Sequence, residues 1–159
     1  MMRVGFGYDV HRLTPGRPLI LGGVEIPYHL GLAGHSDADV LTHALGDALL
    51  GAVAAGDLGR HFPDTDPAYH NISSLHLLQR IMAVVRARGY QPVNVDVTVV
   101  AERPKLAPHF SKMVDNLASI LGLPPEMISL KATTTEKLGF TGREEGIAAY
   151  AVVLVVKHG

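Results

Sequence analysis

The sequence predicts an α/β chain of the α+β-like kind: a mainly four-stranded mixed sheet, helices on one face, and a small hairpin beside it. Three observations carry this. Residues 93–102, VNVDVTVVAE, alternate apolar and polar as a half-buried strand does. Residues 147–156, IAAYAVVLVV, are apolar almost throughout, the pattern of a strand covered on both sides. Helical stretches separate the strands, as in layered folds with helices on a sheet face. A closing strand this apolar leaves the free sheet face too hydrophobic for water. A homo-oligomer that packs sheet faces together is therefore expected. At 159 residues, a single domain over 1–159 is the expectation.

The elements follow in order. Residues 2–8 read as a strand. RPLILGGVEIP (17–27) reads as a hairpin turning at Gly22-Gly23. Residues 38–55, rich in Ala and Leu, read as a helix, and DLGRHFPDTDPAYHN (57–71) as a loop. Ser73 or Ser74 caps a helix to about 88, with Leu75, Leu78, Met82 and Val85 as its apolar stripe. Strand 93–102 comes next. A helix over about 108–121 stops at Gly122 and Pro124-Pro125. ISLKATTT (128–135) is a strand, EKLGFTGREEG (136–146) a loop, and 147–156 the last strand.

Composition excludes several classes. The formal charge is −1, so the chain has no electrostatic footprint for nucleic acid. Aromatics are 6% with no Trp, so no platform for stacking bases is evident. There is no Cys, so any metal must use His, carboxylate or backbone oxygen. Met1-Met2-Arg3 runs into a strand pattern with no apolar leader region, and no stretch is long enough to span a membrane. A soluble cytoplasmic protein is the expectation.

GYDVHRL (7–13) puts Asp9 and His11 two residues apart at a strand end, hence on one face. In HSDADVLTHALGDALLG (35–51), Asp39, His43 and Asp47 stand at i, i+4 and i+8 on one helix face. Read alone, His43 is a helix histidine hydrogen-bonded to Asp39 or Asp47 with no further role, because most short motif matches are false. Beside Asp9 and His11 the balance changes. One carboxylate and two imidazoles are the ligand count of a catalytic zinc site with an open fourth position. Asp39 or Asp47 would then orient His43.

KATTTEKLGFTGREEG (131–146) is the second unusual stretch. Three Thr leave a strand end and meet Glu136 and a glycine-punctuated loop. Hydroxyls and free N–H groups there suit phosphate oxygens, and Glu136 suits a hard cation such as Mg²⁺. The bland reading is that Thr favours strands and Gly139 and Gly142 favour turns. In FPDTDP (62–67), Asp64 and Asp66 read first as turn formers.

GYDVHRL, HSDADV with its following Thr-His, FPDTDP, NVDVTVVAERPKL and KATTTEKLGFTGREEGIAA occur in one order. Together they resemble the 2-C-methyl-D-erythritol 2,4-cyclodiphosphate synthase family of the non-mevalonate isoprenoid route, from Met2 to Lys157. The resemblance implies a homotrimer with three active sites, each between adjacent subunits. The 2-phosphate of 4-diphosphocytidyl-2-C-methyl-D-erythritol 2-phosphate attacks the β-phosphorus, CMP leaves, and a cyclic diphosphate forms. It implies Zn²⁺ on Asp9, His11 and His43, and Mg²⁺ or Mn²⁺ held by Glu136 across the diphosphate. His35 and Thr134 would stabilise transition-state charge. Ser36 would contact the 2-phosphate. Asp57, Leu58 and Gly59, with Phe62, Pro63, Asp64, Thr65 and Asp66, would hold the methylerythritol. Ala101, Glu102, Arg103, Pro104, Lys105, Leu106 and Ala107, with Ala132, Thr133 and Thr135, would frame the cytidine and its phosphates. Phe140 and Arg143 match substrate- or channel-lining positions, and Arg143 and Glu145 resemble residues near a threefold channel that holds an isoprenoid diphosphate. Ala38 stands where the family favours Gly, Tyr8 where Phe is common, and Phe6 where the residue is often polar. The competing readings are a metal-dependent phosphohydrolase and a non-catalytic isoprenoid-diphosphate-binding trimer.

Overall fold

A computed structural model describes residues 1–158. Its strands are β1 (Met2–Thr14), β2 (Leu19–Leu21), β3 (Val24–Ile26), β4 (Gly31–Leu32), β5 (Tyr90–Val100), β6 (Ile128–Thr133) and β7 (Gly146–Lys157). Its helices are α1 (Val40–Ala52), α2 (Leu58–His61), α3 (Ser74–Ala87), α4 (Phe110–Leu121) and α5 (Gly139–Gly142). The main sheet runs β4-β1-β7-β5-β6, with β5 and β6 parallel and the other neighbours antiparallel. The hairpin β2–β3 stands apart and turns at Gly22-Gly23, both with positive φ, where a side chain would be strained.

The sheet thus has five strands rather than four. The added one, β4, is two residues long and pairs with Leu13-Thr14, too short to leave a pattern. β1 also runs well past residue 8. Its pairing with β7 continues through Asp9↔Ala149 and His11↔Ile147, so Asp9 and His11 sit within a strand, not at its end. Their polarity interrupts the apolar alternation but not the backbone ladder.

That register decides which way each side chain points. Gly5 and Gly7 share the face of Asp9 and His11, against α1. A Cβ at Gly5 would stand 1.8 Å from the Ala48 carbonyl oxygen, so β1 and α1 approach at a distance only glycine permits. Further along the strand the gap is filled by Asp9 and His11, opposite His43 on α1. Leu41, Leu45, Ala48 and Leu49 of α1 close the core against Ala149, Ala151, Val153 and Val155 of β7.

The other face carries Val4, Phe6, Tyr8 and Val10 of β1. On β7 it carries Tyr150, 41% exposed, and Val152, 43% exposed. Within one chain β7 is therefore covered on one side only, contrary to its nearly unbroken apolar sequence. Tyr8 and Tyr150, paired across the strands, have ring centroids 4.9 Å apart.

Asp39 caps α1 and is fully buried. It accepts hydrogen bonds from the Thr42 N–H and hydroxyl, and from the Gly22 and Gly23 N–H groups, so it ties the hairpin to the helix. Burial raises its pKa, helped by the neighbouring charge of Asp37. Ser73 occupies the capping position of α3 but its side chain makes no capping bond. Asp37 does that work, accepting from the Ser74 N–H at 2.9 Å. Among the described residues no helix is long and apolar enough to cross a membrane.

Candidate metal-centred active site

Asp9, His11 and His43 meet between β1 and the first turn of α1. Asp9 Oδ2 lies 2.9 Å from His11 Nε2 and 3.2 Å from His43 Nδ1, and the two ring nitrogens are 3.2 Å apart. Metal–ligand bonds of about 2.0–2.1 Å in tetrahedral array separate ligand atoms by about 3.3 Å. The three atoms thus already occupy one face of such a tetrahedron.

The other side of each ring determines what these atoms offer. His11 Nδ1 lies 2.8 Å from the Ala33 carbonyl oxygen, which can only accept, so His11 donates there and presents Nε2 as a lone pair. His43 Nε2 lies 2.8 Å from Ser74 Oγ, leaving Nδ1 inward. With both rings neutral and their lone pairs inward, the three atoms converge as acceptors around one point, and the set fits a divalent metal. Burial alone would raise the Asp9 carboxyl, but His11 and His43 outweigh it and hold its pKa at about 2. Burial alone would lower His11, and Asp9 outweighs it in the opposite direction, leaving the pKa raised.

Neither Asp39 nor Asp47 orients His43, as the helical spacing had suggested. Asp39 is consumed by capping α1. Asp47 accepts from the Leu58 N–H at 2.8 Å, and burial raises its pKa. Periodicity put both on the right helix but could not tell which turn was already engaged. Ser74 and Asp37, which do lie behind His43, carry no short-range signal.

The metal-type cluster opens on a cavity of about 640 Å³. His35, Ser36, Asp57, Leu58, Gly59, Phe62, Pro63, Asp64 and Thr65 line it, together with Asp47 and with Tyr69, which sequence reasoning did not single out. Asp66 contributes through its backbone: His35 donates Nε2–H to the Asp66 carbonyl at 2.9 Å. Its side chain accepts from the Ala68 N–H, as a turn former does.

The remaining expected site residues gather elsewhere. β5 and β6 are parallel, so their ends emerge side by side, with Val100 opposite Thr133 and the Ala101 N–H bonded to the Thr133 carbonyl. This places Ala101–Ala107 beside Ala132–Glu136, and none of these residues lines the 640 Å³ cavity. Ala132, Thr133, Thr134 and Glu136 are exposed. Glu136 has φ 53° and its N–H bonds Thr134 Oγ1, which turns its backbone sharply off the strand. The Thr135 hydroxyl is engaged within the turn, donating to the Leu138 carbonyl at 2.6 Å. Phe140 lies beside His11 and Gly146 at a smaller recess, and Arg143 pairs with Glu145.

A family model described as the YgbB family matches residues 2–156. A protein of Symbiobacterium thermophilum named 2-C-methyl-D-erythritol 2,4-cyclodiphosphate synthase is 61% identical over 154 residues, covering 97% of this chain and 98% of its own. One of the same name from Geotalea daltonii is 61% identical over 157 residues, covering 99% and 92%. A solved structure of such a synthase, described as a CDP-bound form, superposes with TM-score 0.89 at 42% identity, covering 97% of this chain and all of that one. The bifunctional IspDF of Campylobacter jejuni superposes with TM-score 0.96 at 44% identity over 99% of this chain, which spans 43% of that longer protein.

Proposed function

The chain belongs to the YgbB family, and from that premise we propose how its two clusters of residues act together. Its activity is cyclodiphosphate synthesis in isoprenoid biosynthesis, a phosphorus–oxygen lyase reaction. In it, 4-diphosphocytidyl-2-C-methyl-D-erythritol 2-phosphate yields 2-C-methyl-D-erythritol 2,4-cyclodiphosphate and CMP. The 2-phosphate oxygen bonds to the β-phosphorus as the bond from that phosphorus to the CMP oxygen breaks.

The observation that carries the proposal is the convergence of three metal-type ligand atoms at the wall of a cavity large enough for the sugar phosphate. Asp9, His11 and His43 would hold Zn²⁺, which would supply Lewis-acid polarisation of a phosphate oxygen. His35, anchored on the Asp66 carbonyl, stands where it can stabilise charge that develops on the transferring phosphoryl group. Ser36 Oγ already accepts from the Ala38 N–H, so its own proton is free for the 2-phosphate. Asp57–Gly59 and Phe62–Asp66 hold the methylerythritol. In the second cluster, Thr134 stabilises the diphosphate, Glu136 would hold Mg²⁺ or Mn²⁺ to neutralise diphosphate charge, and the backbone of Ala101–Ala107 and Ala132–Thr134 frames the cytosine. Positioning the two phosphates in line is most of the catalysis.

Since the second cluster lines none of the metal cavity within one chain, the proposal seats each substrate between chains. The apolar face of Val4, Phe6, Tyr8, Tyr150 and Val152 packs at the centre of a homotrimer, where an isoprenoid diphosphate is the candidate channel ligand. The chain acts as one catalytic domain in the cytoplasm.

The test is CMP release by purified protein with and without a chelator, with the second product identified. Chelation should abolish release, added Zn²⁺ with Mg²⁺ should restore it, and the second product should be cyclic. A linear product would replace the proposal with phosphohydrolysis. Release untouched by chelation would remove the metal from the mechanism.

A further inference from the structure

We infer that Asp37 and Ser74 form a relay that fixes the tautomer and ring orientation of His43, aiming its Nδ1 lone pair at the metal position. The inference rests on the metal reading above and assigns roles to two residues outside it. Ser74 is fully buried at the start of α3, and Asp37 lies in the loop before α1. Asp37 accepts from Ser74 twice: Oδ2 from the backbone N–H at 2.9 Å, and Oδ1 from the hydroxyl in a short hydrogen bond.

Proton accounting sets the direction of the chain. A carboxylate has no proton to give, so the hydroxyl proton of Ser74 points to Asp37. Ser74 Oγ then faces His43 Nε2, 2.8 Å away, with lone pairs only. Nε2 must carry the proton and Nδ1 must be bare. The reverse arrangement, with Ser74 donating to His43, would leave Ser74 Oγ and Asp37 Oδ1 as two acceptors in short contact. The negative charge at the far end also strengthens each bond in the chain and makes Nδ1 more basic.

Ser36 Oγ is the rival partner, 3.1 Å from the same nitrogen. It is longer, and its oxygen is already engaged by the Ala38 N–H. The relay therefore leaves the Ser36 proton for substrate. Asp37 and Ser74 act on the reaction only through His43 and are positioning residues.

The decisive experiment measures Zn²⁺ affinity by competition with a chelating indicator in wild type, Ser74→Ala and Ser73→Ala, beside thermal melts of the metal-free proteins. Ser73→Ala controls for the helix start, because that side chain makes no capping bond. Ser74→Ala should weaken Zn²⁺ by about 10–100-fold while Ser73→Ala leaves it unchanged. Equal Zn²⁺ affinity in wild type and Ser74→Ala would overturn the relay and hand the role to Ser36. Wild type that binds no Zn²⁺ would overturn the metal reading itself. Should Ser74→Ala not fold, NMR of zinc-loaded wild type decides: the His43 Nε2 proton should exchange slowly with water and show contacts to the Ser74 β-protons. Rapid exchange there would overturn the relay.

Discussion

Gly7 lies directly beneath Ala44: a Cβ on Gly7 would stand 1.9 Å from the Ala44 carbonyl oxygen. Because His43 is the residue just before Ala44 on α1, this approach sets the distance from His43 to Asp9. Gly7→Ala forces the helix away from the strand. We expect a loss of about 1–3 kcal/mol in stability, the usual cost of overpacking. Zn²⁺ affinity should fall in the same variant, because the ligands move apart. Denaturant unfolding and chelator competition check the two effects, and unchanged Zn²⁺ affinity would uncouple the packing from the site.

Ala38 has φ 59° and is fully buried, a backbone state that glycine adopts freely. Three terms govern Ala38→Gly. Relief of the left-handed state favours the variant by about 1–2 kcal/mol. Loss of a buried methyl costs about 0.8 kcal/mol, and the added freedom of the unfolded chain about 0.4–1 kcal/mol. The sum is near zero, so the variant should lie within about 1 kcal/mol of wild type by denaturant unfolding. Ala38→Val, β-branched in the same backbone state and without space, should be far less stable. The near-cancellation explains how alanine is tolerated in this left-handed, buried position.

The pKa shifts of Asp9 and His11 predict opposite pH limits for metal-free protein. Asp9 is depressed to about 2, so its stabilisation is present above the unfolded value near 4 and is lost as pH falls toward 2. His11 is raised, so its stabilisation is complete below the unfolded value of about 6.5 and is lost as pH climbs through the folded value. Metal-stripped protein should therefore melt highest between about pH 4 and 6.5, and His11→Gln should remove the decline on the alkaline side. Zinc competes with that proton, so Zn²⁺ affinity should rise over the same alkaline range. A melting profile of the metal-free protein identical in wild type and His11→Gln would refute the assignment.

His43→Ala and Glu136→Gln each spoil a different cluster. If the two clusters serve one substrate from neighbouring chains, mixed trimers contain some intact sites. Each variant alone should be inactive, and co-refolded mixtures should recover a minor fraction of wild-type CMP release. Glu136→Gln should retain Zn²⁺ and lose its response to Mg²⁺, because a neutral amide is a weak ligand for a hard cation. No recovery from well-mixed trimers would place both clusters of a site on one chain.

The metal ligands were legible because period two and period 3.6 are local rules. Asp9 and His11 share a strand face, and only their meeting with His43 needed the fold. What lies behind His43 was not legible: Ser74 is 37 residues from Asp37 in sequence, and no spacing connects them. The two aspartates of α1 were misread for a related reason. Spacing reports the side of a helix, whereas Asp39 is engaged by the hairpin at Gly22-Gly23, a contact set by tertiary packing. β4 escaped because two residues carry no periodicity. The end of β1 was misplaced because functional polar residues occupy positions where the alternation calls for apolar ones.

β1 writes two messages in alternate letters. Even positions, Val4, Phe6 and Tyr8, face outward with the apolar surface, while odd positions, from Gly5 to His11, face α1 and the metal. A single residue inserted or deleted between Arg3 and Gly7 exchanges the two sets relative to β7. It would bury aromatic rings where only glycine fits and leave bare glycines on the outward face. The strand's length is therefore fixed by its register as firmly as its residues are by their packing.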